Sequence, residues 1–193
     1  MAAPTPRRLP PDERRRQLVG IGLRMLTERP ITEITVDDVA REAGISRSLL
    51  FNYFPTKRDY HLAVIRAAAR RVRRVVLVTG DEGVPVILDR FLAFLERRRD
   101  PYLSLLRGVG GADPEVAAIN AETRADLVDG VLRVLGRDPS APALRLAVGG
   151  WVAMVEDIGL AWAADPAAMP RDDVVALLLD ALDLVAGSTL DRE

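Results

Sequence analysis

An all-α protein of about nine helices is the fold this sequence predicts, and three observations predict it. No segment alternates apolar and polar residues at the two-residue period of a half-buried strand. Apolar residues instead recur at three- and four-residue spacing through the stretches that glycine and proline separate. The segment 35–54 also carries the cap, stop and turn signals of two short helices closed on a tight corner. With 193 residues, 49% hydrophobic and 28% charged, the chain has the length and composition for one globular domain or two small ones.

Residues 1–10 read as a flexible arm, in which Arg7 and Arg8 can touch a phosphate or a minor groove. A first helix is expected over Asp12 to Glu28, with Leu18, Ile21, Met25 and Leu26 inward and Pro30 ending it. Arg14 to Arg16 sit in its first turn, where cations oppose the helix dipole; a nearby phosphate backbone gives a motive for that cost. Gly20 and Gly22 lower helix propensity, which close packing explains.

The next two helices organise the chain. Thr35 is an N-cap, and Asp37 and Asp38 complement the positive helix end. Val36, Val39, Ala40 and Ala43 form one apolar stripe. Gly44 supplies the left-handed geometry of a helix stop. Ser46 then caps a second helix with Leu50 and Phe54 inward, and Pro55 stops it. At 100° per residue, Ser48 and Asn52 point away from Leu50 and Phe54, with Leu49 beside them. Short or planar side chains there let a helix enter a major groove. Asn can pair with adenine, Ser with several base edges, and an apolar group with a thymine methyl, while Arg47 can reach a guanine or a phosphate. Spacing alone also fits an ordinary helix pair with a solvated face.

The residues resemble the N-terminal domain of the TetR-type family of bacterial transcriptional regulators. Thr35, Ala40, Gly44-Ile45-Ser46, Leu50, the run Phe51-Asn52-Tyr53-Phe54 and Pro55-Thr56-Lys57 carry the resemblance. It implies that the serine after the turn and the next few residues meet DNA. It also implies that the aromatic run contacts phosphate, and that the lysine after the proline binds a phosphate. Those roles fall on Ser46, Arg47, Ser48, Leu49, Asn52, Tyr53 and Lys57, with Thr35 completing the candidate DNA-binding set. Phe51 departs from the tyrosine the family often has, so a phosphate bond from that position is lost or passes to a neighbour. The resemblance is specific over about Asp12 to Tyr60.

Thr56 and Asp59 resemble a capping box and open a long fourth helix through about Val78, ended by Thr79-Gly80. Its only histidine, His61, reads as a surface or inter-helix residue, since nothing nearby in sequence pairs with it. Pro85 to Arg99 is next, followed by a short piece from Asp100-Pro101 and the loose Gly108–Gly111. Asp113 caps a helix with Pro114 at its first position, running to Gly136. Around Ser140 begins a helix with Leu144, Val148, Trp151, Val155, Ile158 and Trp162 on one face, but Leu146, Ala153 and Leu160 on the other. The last helix, Arg171 to Ala186, is equally apolar with Val174, Val175, Leu177, Leu178, Leu179, Leu182 and Val185. Helices apolar nearly all round are buried from both sides.

Charge divides the chain. Residues 1–74 hold 16 Lys+Arg against 8 Asp+Glu, and the remainder holds 11 against 20. A basic head on an acidic body is the footprint of a module that meets a polyanion. The expected division is therefore a helix-turn-helix DNA-binding domain over 1–75 and a helical effector-binding and dimerisation domain over 76–193. Cysteine is absent, and no apolar run is long enough to span a bilayer, which makes the cytoplasm the expected location. No phosphate loop, metal spacing or nucleophile with a base is present, so neither an enzyme nor a cofactor is expected. Glu156 and Asp157 are the nearest thing to an acid pair, but adjacent residues diverge on a helix.

These readings lead to a sequence-specific regulator of transcription. The alternative is an all-α ligand-binding or adaptor protein whose helix-turn-helix is only structural. The resemblance implies a repressor that binds a palindromic double-stranded operator as a homodimer through the last two helices. A largely apolar small molecule is its expected effector. Phe91, Phe94, Tyr102, Leu106, Trp151, Met154, Ile158 and Trp162 are candidate pocket walls, with Asn120 and Thr123 as polar groups beside Glu156. Any one of these can equally be plain core.

Overall fold

The structure, a computed structural model, describes residues 9–77, 82–107 and 113–190, with side chains at all of these except 75, 104–107 and 188–190. The expectations for Arg7 and Arg8, Thr79-Gly80 and Gly108–Gly111 lie outside the described residues, as does that for the Leu106 side chain. Eight α-helices and one 3₁₀ turn make up the described elements, with no strand among them. They are α1 (Pro11–Met25), the 3₁₀ turn (Ile31–Glu33), α2 (Val36–Glu42), α3 (Arg47–Phe51), α4 (Lys57–Val76), α5 (Val84–Arg107), α6 (Pro114–Val134), α7 (Pro142–Trp162) and α8 (Arg171–Leu190). No described helix is long and apolar enough to cross a membrane.

Two apolar cores form. The first joins Leu18 and Ile21 of α1, Val39 of α2, Leu50 of α3, Phe54, and Tyr60 and Val64 of α4. Val116 and Ile119 from the start of α6 also enter it. Gly22 explains how closely α1 rides on α4: a Cβ there would collide with the Tyr60 hydroxyl and Val64. That hydroxyl donates to the Leu18 carbonyl at 2.9 Å. Gly20, by contrast, has nothing within 4 Å of an added Cβ, so close packing accounts for only one of the two glycines.

The second core fills the body, from Val72 and Val76 of α4 through Phe91, Leu132, Val148 and Trp151 to Leu178. Helix α5 consists of two helical segments that meet at a kink, close to the break expected at Asp100-Pro101. Its backbone leaves helical geometry at Arg98 (φ −144°, ψ 31°). Pro101 has no N–H to give the carbonyl one turn back, so the kink falls just before it.

Helix α8 is the clearest case of one-sided burial. Val174, Leu178 and Leu182 are buried, while Leu177 and Leu184 remain 50% and 74% exposed. On α7, Leu146 is 80% exposed, and Gly150, Ala153, Asp157 and Ala161 continue the same outward stripe. Trp151 holds the two helices together by donating its indole N–H to the Leu178 carbonyl at 2.8 Å. Leu178 thus belongs to the chain's own core, and the uncovered apolar surface lies around Leu177 and Leu184.

Candidate nucleic-acid interface and effector cavity

Caps set the corner of the helix-turn-helix. The Thr35 hydroxyl accepts from the Asp38 amide at 3.1 Å and donates to the Asp38 carboxylate at 2.8 Å. Gly44 takes φ +64°, and the Ser46 hydroxyl accepts from the Leu49 amide at 3.2 Å. Helix α3 is shorter than expected, five residues, with Asn52 as its C-cap; Pro55 and the Asn52–Tyr53 turn unwind it early. Leu50 and Phe54 still lock inward, because the Phe54 amide bonds the Leu50 carbonyl at 3.1 Å and both side chains are fully buried.

On the outside, Ser46, Arg47, Ser48, Leu49 and Asn52 are all exposed, which makes one polar, slender face. Arg47 lies 5.5 Å from the Phe51 ring centre and pairs with Asp37 at 3.1 Å, both side chains more than half exposed. Such a pair is weak and can be traded for a phosphate or a base. Thr35 is exposed with its hydroxyl committed to the cap, and Tyr53 is half-buried. Lys57 is exposed at the first position of α4 and reaches the Thr32 carbonyl at 3.4 Å.

Arg15 takes a part the sequence did not reveal. It donates to the Tyr53 carbonyl at 2.6 Å and stacks 4.3 Å over the Phe54 ring, so α1 holds the end of the recognition segment. Arg14 bonds Gln17. His61 is fully buried, not superficial, and shares a 2.9 Å hydrogen bond with the Ile34 carbonyl. Burial, reinforced by the Lys57 charge, holds its pKa below the ordinary value and keeps the ring neutral.

The basic head is less free than its composition suggests. Arg58 of α4 grips Asp113 with two bonds of 2.8 Å and also meets Glu115 at 3.1 Å. Arg66 pairs with Glu115, and Arg73 with Asp126 and Glu122. The Arg58 hydrogen bonds hold the Asp113 carboxyl below its ordinary range. Part of the charge asymmetry thus fastens α4 to α6. Arg70, Arg71 and Arg74 remain exposed on α4.

Between α4, α5, α6 and α7 lies a cavity of about 70 Å³. Val72, Val76, Leu88, Phe91, Leu127, Trp151 and Val155 make its apolar walls, and Tyr102, Asn120, Thr123, Arg124 and Glu156 its polar end. Of the expected pocket residues, Phe91, Tyr102, Asn120, Thr123, Trp151 and Glu156 come together here. Phe94 packs edge-on against Tyr102, outside the lining. Met154 and Ile158 pack on the body core away from it, and Trp162 is tied to the Met169 carbonyl at 2.9 Å. Helical phase turns Met154 away from Trp151 and Val155, whereas Ile158 shares the Trp151 face but lies about two turns further along α7, past the end of the lining.

Glu156 accepts from the Tyr102 hydroxyl and from Arg124, each at 2.5 Å. Burial and the Glu156 charge push the Tyr102 phenol well above its ordinary value, so it stays a donor. Arg124 was missed, although Asn120, Thr123, Arg124, Leu127 and Val131 repeat at helical spacing on one face of α6. Asp157 points outward, away from Glu156, as adjacent helical residues must.

Comparison with known proteins agrees with this architecture. Residues 82–184 match the family model of the tetracyclin repressor-like C-terminal domain, and residues 21–64 that of the bacterial regulatory proteins of the tetR family. The chain is 27% identical over 177 residues to the HTH-type transcriptional activator FasR of Mycolicibacterium smegmatis, covering 87% of this chain and 80% of that protein. It is 37% identical over 98 residues to the HTH-type transcriptional regulator EthR of the same species, covering 51% and 39%. In fold it is similar to a tetR-family transcriptional regulator from Streptomyces coelicolor, with a TM-score of 0.79 and 23% identity over 94% of this chain and 84% of that one. A TetR-like regulator from Rhodococcus sp. RHA1 aligns with a TM-score of 0.62 and 22% identity over 96% and 100%.

Proposed function

The chain belongs to the TetR family of bacterial helix-turn-helix transcriptional regulators, and we propose that it is a repressor which a largely apolar small molecule releases from a palindromic operator. In this reading 1–75 is the DNA-binding domain and 76–193 the effector-binding and dimerisation domain. Ser46, Arg47, Ser48, Leu49 and Asn52 meet the major groove, while Thr35, Tyr53 and Lys57 meet the phosphate backbone. The protein works in the cytoplasm, without catalysis.

The observation that carries the reading is that the cavity and the head share α4. Ile65, Ala69, Val72 and Val76 line the cavity, while Lys57 and Arg58 open the same helix beside the recognition segment. A ligand that prefers a cavity with α4 displaced shifts the head, by no more than its differential affinity for the two arrangements. The uncovered stripe of Leu146, Gly150, Ala153, Leu177 and Leu184 supports a homodimer through α7 and α8. Two heads then face half-sites about one helical turn, or a multiple, apart.

A second reading, activation, is favoured by the activator among its relatives. A reporter driven by DNA upstream of the gene separates the two. Deleting the gene raises expression if the protein represses and lowers it if the protein activates. A library of apolar metabolites tests release. If none raises the melting temperature or lowers DNA affinity, release by a ligand is refuted and the DNA-binding assignment stands.

A further inference from the structure

We propose that the effector is a lipophilic organic cation, an ammonium on a mainly hydrocarbon or aromatic body, with Glu156 as its counter-ion in place of Arg124. The inference rests on the reading of the cavity as the effector site. Only two charged side chains occur in the described lining, Arg124 and Glu156, and they differ in depth. The Glu156 side chain is 16% exposed and that of Arg124 45%. Arg124 can therefore swing into solvent at little cost, whereas Glu156 stays at the cavity.

Each ligand charge has its own consequence. An ammonium that takes the Arg124 position on Glu156 keeps the carboxylate paired, and Tyr102 continues to donate to its other oxygen at 2.5 Å. Phe91, Tyr102 and Trp151 line the same space and offer aromatic faces to a cation. A carboxylate in the cavity meets Arg124 with Glu156 already bound to it, which sets two negative charges together at the less exposed end of the pair. A neutral ligand leaves the ion pair whole and gains nothing from it.

Three ligands with one body decide the matter: 4-phenylbutylammonium, 4-phenylbutanol and 4-phenylbutyrate, each titrated into the full-length protein by calorimetry. The ammonium should bind about tenfold tighter than the alcohol, since it exchanges with Arg124 on Glu156 and gains in addition the aromatic faces of a desolvated site, and the carboxylate weakest. Glu156→Gln should erase the preference for the ammonium while the alcohol still binds. Arg124→Ala, at a more exposed position, should strengthen ammonium binding by freeing the carboxylate, and it keeps the test decisive if Glu156→Gln does not fold. Equal affinity for ammonium and alcohol overturns the proposal while the cavity remains an effector site. So does a carboxylate that binds best and is lost in Arg124→Ala. Failure of the ammonium to bind either the wild type or Arg124→Ala also overturns the proposal, while the effector reading itself stands or falls on the metabolite library.

Discussion

Replacing Leu177 and Leu184 together by glutamate should convert a dimer into a folded monomer, whereas Leu178→Glu alone should unfold the chain. The contrast comes from burial: Leu177 and Leu184 are 50% and 74% exposed in the isolated chain, and Leu178 is not exposed at all. Fully burying a leucine side chain is worth about 2 kcal/mol. The area these two still expose can therefore add at most about 2.5 kcal/mol per protomer, or about 5 kcal/mol across a two-fold interface. That corresponds to a rise in dimer dissociation constant of up to about four-thousandfold. The new carboxylates also meet exposed Asp180 and Asp183, which widens the gap. Sedimentation equilibrium over nanomolar to micromolar protein reads the constant, and circular dichroism confirms the fold. A double variant that dimerises like wild type would refute the placement of the interface. A folded Leu178→Glu monomer would refute the assignment of Leu178 to the core.

Three further outcomes are expected. Asn52→Ala should cost about 1–3 kcal/mol at particular base pairs, while Lys57→Ala should weaken all sequences alike and reduce the salt slope by about one; equal losses on specific and random DNA for Asn52→Ala would show that α3 does not read sequence. Gly22→Ala should destabilise by about 1–3 kcal/mol, because its Cβ meets the Tyr60 hydroxyl, whereas Gly20→Ala should stabilise by up to about 1 kcal/mol in thermal melts. Burial lowers the His61 pKa, so the unfolded chain takes up a proton that the folded chain refuses; stability should fall as pH drops below the ordinary value of 6.5, and His61→Gln should flatten that decline.

The head was legible because its signals are local. Thr35, Gly44, Ser46 and the Thr56–Asp59 box each fix backbone within a few residues, and all of these take the expected geometry. Helix α3 nevertheless stops at Phe51, since periodicity shows which side chains face inward but not where the last turn loosens. The body was harder. Helix α8 carries leucines at 177, 178 and 179, and only tertiary packing decides that the middle one turns inward. Tyr102 meets Glu156 across 54 residues, and the kink at Arg98 lies between Tyr102 and the preceding part of α5. Arg58 and Asp113 are 55 residues apart, so the charge surplus of the head looked freer than it is.

The most direct test is equilibrium binding of the full chain to duplex DNA from beside its own gene, by fluorescence anisotropy, at several salt concentrations from 50 to 200 mM. One inverted repeat should bind one dimer at least about a thousandfold more tightly than random duplex, and both affinities should fall steeply as salt rises. Equal affinity for both duplexes, or binding that salt leaves unchanged, would contradict the account of α3 as a reader of sequence on a basic head.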